Sequence, residues 1–156
     1  PIINDITTDI YTPPAYMNVS FIRKSNENGV DYNRDFIPIQ QKYYGDIKPF
    51  YTTEKKTVVY AAVTGLVEDR NWEVVADYTQ VGVIEATART PIFGFRDDVI
   101  IRVTKLEGNN VRVDMRSSSR TGTGDYGLNA ERVSSFMKDL SKTLTVVPMP
   151  AINSAR

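Results

Sequence analysis

The sequence predicts an α+β fold, a two-layer sandwich in which two helices pack on one face of an antiparallel meander of four to five strands. Apolar residues recur at helical spacing in two segments, one before residue 70 and one after residue 128. Between these segments, apolar and polar residues alternate as they do in strands with one buried face. We therefore expect an α+β domain over residues 47–146, an extended N-terminal arm over residues 1–46, and a loose C-terminal tail over residues 147–156.

Composition excludes several classes of function. The chain has 156 residues, of which 41% are hydrophobic, and this is enough for one domain with its own core. Nineteen basic residues balance nineteen acidic ones, so a nucleic-acid partner is not expected. Histidine and cysteine are absent, which excludes serine or cysteine triads, disulfides and zinc sites built from these ligands. No catalytic motif, metal site or cofactor is predicted.

Membrane insertion of this chain is not expected either. No run approaches the roughly 20 apolar residues that cross a bilayer. The first residue is Pro1 rather than methionine, which fits a mature chain from which a targeting segment was removed. Simple removal of methionine fits this start equally well.

The N-terminal arm is predicted to be irregular, because turn and breaker residues such as Pro13-Pro14 and Asn28-Gly29 are scattered through it. Its aromatic residues are too numerous for a free tail. We expect these rings to pin the arm to the domain, and burial against a partner is the alternative. They are Tyr11, Tyr16, Phe21, Tyr32, Phe36, Tyr43 and Tyr44.

The domain is expected to begin with a short strand over residues 47–51 and a helix. Thr52 or Thr53 is the predicted cap of this helix, which runs to about Asp69. One face of the helix is apolar and should be buried. It carries Val59, Ala62, Val63 and Leu66.

Four strands follow, joined by short turns. Turn residues at 80–82 and 107–110 favour hairpins and therefore an antiparallel meander. The link at 91–95 is longer and contains two rings, Phe93 and Phe95, that are expected to be exposed. The strands are predicted over residues 72–78, 81–89, 97–106 and 110–119.

A glycine-rich loop over residues 121–127 precedes the last helix. Asn129 is the predicted cap, and two prolines, Pro148 and Pro150, mark the end of ordered structure. The apolar stripe of this helix consists of Val133, Phe136, Met137, Leu140 and Leu144.

Alternation along the strands assigns the two faces of the sheet. Val99, Ile101 and Val103 should point to the helices, together with alternate residues of the neighbouring strands. The opposite face is then rich in charge, with arginines extending toward the last helix. The candidate binding residues on it are Asp98, Arg102, Arg112, Asp114, Arg116, Arg120 and Arg132.

Two interpretations of these charges stay open. Mixed cross-strand pairs such as Arg102 with Asp114 are typical of a solvated sheet face. Alternatively, the arginines converge near the glycine-rich loop and bind an anionic group or a partner. Asp97 and Asp98 are adjacent in a strand and point to opposite faces, which argues against a shared metal site.

Three segments resemble a known family. They are GVIEATART at 82–90, FGFRDDVIIRV at 93–103 and VRVDMRSSSR at 111–120, with further agreement at 4–9, 13–14, 41–49 and 127–132. The chain resembles the uncharacterised bacterial and plastid family called domain of unknown function 1499 over nearly its whole length. It departs from the family at 123–126, where relatives have a short polar turn.

The resemblance implies a location but no activity. Many family members resemble secreted, lipid-anchored or membrane-tethered proteins. An extracytoplasmic, membrane-associated location such as the periplasm or the thylakoid lumen is therefore expected. The order of helix, strands and helix is also similar to helix-grip domains of outer-membrane assembly lipoproteins, which is a likeness of fold alone.

Three functions are considered. The first is a non-catalytic accessory module that docks onto a membrane protein complex through its arm and the arginine-rich face, with Tyr11, Tyr16, Phe93 and Phe95 as docking aromatics. The second is a carrier of a small apolar or anionic ligand. The third, an enzyme of unknown class using Asp98, Asp114 or Tyr126, has the least support.

Overall fold

Six strands and four helices make up the computed structural model, which describes residues 1–151. The strands are β1 (Asp5–Thr7), β2 (Phe50–Thr52), β3 (Glu73–Tyr78), β4 (Val83–Arg89), β5 (Arg96–Lys105) and β6 (Val111–Ser119). The helices are α1 (Val19–Ile22), α2 (Phe36–Tyr43), α3 (Lys56–Asp69) and α4 (Leu128–Thr143). None of these helices is both long enough and apolar enough to cross a bilayer.

The strands form one sheet in the order β1-β6-β5-β4-β3, and β2 also pairs with β6. Every pairing within the described residues is antiparallel, and β3 to β6 follow one another as a meander, as the sequence predicts. The two short strands share the outer edge of β6. β1 lies opposite residues 116–118 and β2 lies opposite residues 111–113.

Helices α3 and α4 cover the predicted face of the sheet. The strand residues Val99, Ile101 and Val103 are buried in the same core as Val59 of α3 and Phe136 of α4. Alternation along β5 and β6 therefore predicts this face correctly, because every second side chain of a pleated strand meets the helices. The α+β class and the antiparallel sheet are confirmed.

A bulge in β3 changes the predicted face of one core residue. Val74 lies opposite Ala86, but Ala76 lies opposite Glu85, because an extra residue enters the strand between them. Ala76 is thus on the face away from the helices, although strict alternation places it in the helix-side core. Asp77 takes the helix side instead and accepts a hydrogen bond from Tyr60 of α3.

Both predicted helix caps are wrong by a few residues. Helix α3 begins at Lys56, after Lys55, and Thr52 belongs to β2. Helix α4 begins at Leu128 after a left-handed Gly127. The carboxylate of Asp125, rather than the side chain of Asn129, accepts the free N–H groups at this helix start.

The N-terminal segment is more regular than an extended arm and adds a third layer. Residues 1–46 contain β1, α1 and α2. The part between β1 and α2, which includes α1, crosses the sheet face opposite α3 and α4, whereas α2 packs on the helix-side core through Phe36 and Ile39. Tyr16 and Val19 pack there on Ile100 of β5. Helix α2 completes the edge of the sheet, because the Gln40 side chain exchanges two hydrogen bonds with the backbone of Thr7.

The C-terminal segment lies against β2. The Val147 N–H donates a hydrogen bond to the Tyr51 carbonyl at 3.0 Å. The predicted loose tail began at residue 147, and its last part, residues 152–156, lies outside the described residues.

Candidate functional site

The charged sheet face exists but is not open to solvent. Register places Arg102 opposite Asp114 and Asp98 opposite Ser118, so the predicted residues of β5 and β6 do share one face. Asp98, Asp114 and Arg116 are 0%, 0% and 2% exposed. The expectation of an uncovered face is therefore wrong, because residues 8–34 of the arm lie over it and make ion pairs and hydrogen bonds to its charges.

Arg116 is the centre of this covered face. Its guanidinium forms a bidentate pair with Asp5, with nitrogen–oxygen distances of 3.0 and 2.8 Å. It also donates to the carbonyls of Pro14 and Val30, at 3.0 and 2.7 Å. The Tyr16 ring centroid lies 4.6 Å from its Cζ. One buried arginine thus binds three separate parts of the N-terminal segment.

Asp98 is the second centre and binds two arginines. Its carboxylate accepts from Arg23 of the arm at 2.9 Å and from Arg120 at 2.9 and 3.0 Å. The Thr87 hydroxyl donates a further bond at 2.8 Å. Two cations and one hydroxyl satisfy this buried carboxylate, so it has no lone pair left that faces an open site.

Asp114 and its two arginines form the third group. Asp114 accepts from Arg112 at 2.7 Å, from Arg102 at 3.4 Å and from the Thr8 hydroxyl at 2.7 Å. The two arginine side chains are 23% and 27% exposed, so they are the most accessible of the predicted set. Arg102 is tied to the arm as well, through Asp9 at 3.0 Å.

Glu85 is a structural part of this face that the set of candidate residues missed. It is completely buried at the centre of β4 and accepts hydrogen bonds from the N–H groups of Met17, Asn18 and Val19. These are the free donors at the start of α1. An acidic residue in an otherwise apolar strand was the available signal, but its partner lies 66 residues away in sequence.

Arg132 does not join the other predicted residues. It lies on α4 and pairs with Asp97 at 2.8 Å, on the helix side of the sheet. Asp97 and Asp98 therefore have separate partners on opposite faces, as alternation predicts. Burial raises the pKa of Asp97, although the Arg132 charge opposes this rise.

A carboxylate of the glycine-rich loop itself, that of Asp125, caps the start of α4. The Asp125 carboxylate accepts from the N–H groups of Gly127 and Asn129, at 2.9 and 3.2 Å. Asn129 in turn bonds Ser117 and Ser119 of β6. The positive end of α4 is thus occupied by an internal carboxylate, and the predicted anion site near the loop is not available.

Two tyrosines on the inner side of the arm are held in their neutral form. Burial raises the pKa of Tyr16, whose hydroxyl donates to the Asp98 carbonyl at 2.6 Å. Burial also raises the pKa of Tyr32 to about 12. Both rings flank the Arg116 guanidinium, so deprotonation of either phenol would alter the centre of the arm contact.

The predicted docking aromatics fall into two groups. Tyr16 is only 7% exposed and serves the arm contact, so it is not available for docking. Tyr11, Phe93 and Phe95 are exposed, at 82%, 77% and 57%. Phe21 on α1 is 86% exposed, so the expectation that its ring pins the arm to the domain is wrong for Phe21, as it is for Tyr11.

A groove of about 1260 Å³ opens at the edge of the sheet. Its walls are the segment after β1, the segment from α2 to β2, the turn between β5 and β6, and the C-terminal residues 146–151. Arg112 lies in its lining, and the apolar lining residues include Ile10, Tyr44, Ile47, Leu106 and Val146.

Comparison with known proteins identifies the family. A family described as protein of unknown function (DUF1499) matches residues 5–140. The chain belongs to the DUF1499 family. No curated protein matches the chain significantly. The matched range in this DUF1499 protein includes β1, the arm, all of the sheet and most of α4.

Proposed function

We propose that this DUF1499 protein is a non-catalytic, extracytoplasmic accessory module that docks onto a membrane protein complex through the outer surface of its arm. The proposal rests on which side chains are buried and which are exposed to solvent. Most charged residues on the sheet face opposite α3 and α4 are buried in internal pairs, whereas large apolar residues of the arm face solvent.

The buried charges argue against a catalytic site on the sheet face. A catalytic carboxylate needs contact with substrate and a free lone pair or proton. Asp98 and Asp114 instead accept bonds from two arginines and a hydroxyl each. Tyr126 of the third hypothesis is fully exposed on a loop and lacks a neighbouring base among the described contacts.

The arm surface presents apolar groups on a fixed backbone. Phe21, Met17 and Ile22 lie on or beside the single turn of α1, and they are 86%, 43% and 42% exposed. Glu85 holds the start of this helix from below, so little ordering entropy is lost when a partner binds. Tyr11 is held in the same way, because its N–H donates to Asp9. Exposed aromatic groups on a rigid support are typical of binding surfaces.

Recovery of the complex from native membranes tests this proposal. Tagged protein should co-purify with a membrane protein complex in mild detergent, and Phe21→Ser together with Tyr11→Ser should reduce this recovery strongly. Val81→Ser is the matched control, because Val81 is 59% exposed at the turn between β3 and β4. Recovery of the wild-type protein without any co-purifying membrane protein would contradict the proposal.

The ligand-carrier function is a second candidate, and the groove of about 1260 Å³ is the observation that favours it. This volume exceeds the roughly 300 Å³ that small-ligand pockets require. Leu106→Trp would fill part of the groove. If the protein carries a ligand, native mass spectrometry should detect a bound small molecule in wild-type protein and less of it in this variant. A native mass of the wild-type protein equal to that of the polypeptide alone would exclude the carrier function.

A further inference from the structure

The turn between β4 and β5 is the most apolar exposed part of the described chain. We call residues 90–95 the β4–β5 tip. Ile92, Phe93 and Phe95 are 97%, 77% and 57% exposed there. The two rings stack with centroids 5.7 Å apart and form one apolar ridge.

The β4–β5 tip has a fixed conformation. Thr90 and Phe95 are joined by two hydrogen bonds, at 2.8 and 2.9 Å, and Gly94 donates to the Thr90 carbonyl. Ile92 has a φ of 69°, which is costly for a β-branched residue. The loop therefore holds these side chains outward although burial would favour the opposite.

Two arginines without an ion pair stand at the base of the β4–β5 tip, and the contact of Arg89 there is a hydrogen bond of 3.5 Å to the Gly94 carbonyl. Arg89 and Arg96 lie directly opposite each other, and both are exposed. Within residues 1–151 neither makes an ion pair, whereas most other arginines of this part of the chain do. Adjacent like charges destabilise a hairpin, so an external anion would relieve this repulsion.

The order of these groups suits a membrane interface. Arg89 and Arg96 stand at the two strand ends and Phe93 lies in the turn beyond them, so the apolar ridge projects past the arginines. Interfacial segments bury apolar side chains about 5–10 Å deep beneath the lipid phosphates. Residues 89–96 contain no acidic side chain that would oppose anionic lipid.

Other exposed apolar groups lie at the same end of the sheet. The Arg120 N–H donates to the Arg96 carbonyl, which joins the glycine-rich loop to the start of β5. This loop carries Tyr126, which is fully exposed, and Ile2 packs beside Gly124. Tyrosine is enriched where membrane meets water.

We infer that the β4–β5 tip inserts into the interface of a membrane that contains anionic lipid, with Arg89 and Arg96 against the phosphates. A lipid surface fits this convex ridge better than a protein does, because stable protein interfaces bury about 800 Å² per partner and a short tip presents less. The inference extends the proposed membrane association and places the second contact on lipid.

Vesicle sedimentation of the full chain is the test. Wild-type protein should sediment with vesicles of phosphatidylcholine and phosphatidylglycerol, and much less with phosphatidylcholine alone. Arg89→Gln with Arg96→Gln should lower binding to the anionic vesicles about tenfold or more, because each arginine near an anionic surface contributes measurably. Phe93→Ser with Phe95→Ser should lower binding to both kinds of vesicle.

Val81→Ser is the matched control, since it removes an exposed apolar side chain at the turn between β3 and β4 and should leave vesicle binding unchanged. Circular dichroism should show all variants folded, because the substituted side chains are exposed. Wild-type protein that binds neither kind of vesicle, or vesicle binding that Val81→Ser lowers as much as Phe93→Ser with Phe95→Ser does, would overturn the inference.

The same variants separate this inference from the proposed function. If the protein recovers a membrane complex but never binds vesicles, the lipid contact is wrong and the docking function stands. If it binds vesicles through the β4–β5 tip and no complex is recovered, the lipid contact stands without the protein partner. If loss of Phe93 and Phe95 abolishes only complex recovery, the tip contacts protein and the inference fails.

Discussion

Arg116 lies where β1, the arm and β6 meet, and its contacts explain how a charged sheet face is stable inside a protein. Taking a guanidinium out of water is costly unless its donors are hydrogen-bonded and a carboxylate is beside it. Asp5 and the carbonyls of Pro14 and Val30 accept four hydrogen bonds from Arg116, and the Tyr16 ring lies against the guanidinium. Burial acts to lower the pKa of Arg116, but the bonds and charge of Asp5 outweigh it and raise the pKa.

Removal of Arg116 should therefore destabilise the fold strongly. Arg116→Met leaves Asp5 buried without a partner, and such a loss costs about 3–5 kcal/mol of the free energy of unfolding. Urea denaturation measures this change. Arg89→Gln is the control, because Arg89 is exposed and without an ion pair within the described chain, and it should cost less than about 0.5 kcal/mol. Equal costs for the two variants would contradict the structural role of Arg116.

Asp97 should make the stability depend on pH in a defined direction. Burial raises its pKa in the folded state above the value of 3.8 that it has when unfolded. The contribution of this group is then fully present below the unfolded pKa and falls as pH rises through the folded pKa. Asp97→Asn removes this titration. We predict that the stability of the wild type relative to Asp97→Asn declines as pH rises above 3.8, which chemical denaturation at several pH values measures. A relative stability that increases with pH would show that the pKa is lowered.

Helix α1 has only four residues, and at the scale of single elements it depends on the sheet beneath it. So short a helix is not stable by itself. Its start is fixed by Glu85, and its end is followed by Arg23, which pairs with Asp98. The helix thus joins two buried carboxylates of β4 and β5.

Substitution of Glu85 should release the arm before the rest of the fold. Glu85→Gln places an amide N–H₂ group among backbone N–H donors, and an unsatisfied buried group costs about 1–3 kcal/mol. Hydrogen exchange should increase over residues 8–34 while β5 and β6 stay protected. Glu73→Gln is the control, because Glu73 is an exposed residue of the neighbouring strand. Unchanged exchange in the arm would contradict the anchoring role of Glu85.

Elements were predictable from sequence where one physical signal is strong. Apolar stripes predict α3 and α4, and alternation predicts the face of Val99 and Ile101, because burial against a sheet imposes these periods. The bulge near Val74 and the cap by Asp125 were not predictable, because each depends on tertiary contacts that outweigh local preference.

At the scale of the whole molecule, the sequence predicts which residues share the candidate site but not whether these residues are exposed to solvent. Strand parity brings Asp98, Arg102, Asp114 and Arg116 to one face, as the structure has them. The burial of this face depends on contacts between residues that are 66 to 111 positions apart, such as Glu85 with Val19 and Arg116 with Asp5. A period within one strand carries no information about such distant partners, so a solvated face and a covered face have the same local pattern.

The inner and outer sides of the arm differ in what they contact. Its inner side neutralises the charged sheet face through Arg23, Asp5 and Asp9. Its outer side presents Tyr11 and Phe21 to solvent. The charged residues of β5 and β6 on this face thus build the arm contact.

Chemical labelling of arginines in the native protein tests the covered face most directly. Phenylglyoxal followed by peptide mass spectrometry measures the reaction of each guanidinium. Arg89 and Arg96 are exposed and should react quickly, whereas Arg116 and Arg120 are 2% and 8% exposed and should react only after unfolding. If Arg116 and Arg120 react in the native state as fast as Arg89 does, the sheet face is open and the structural role assigned to its charges is wrong.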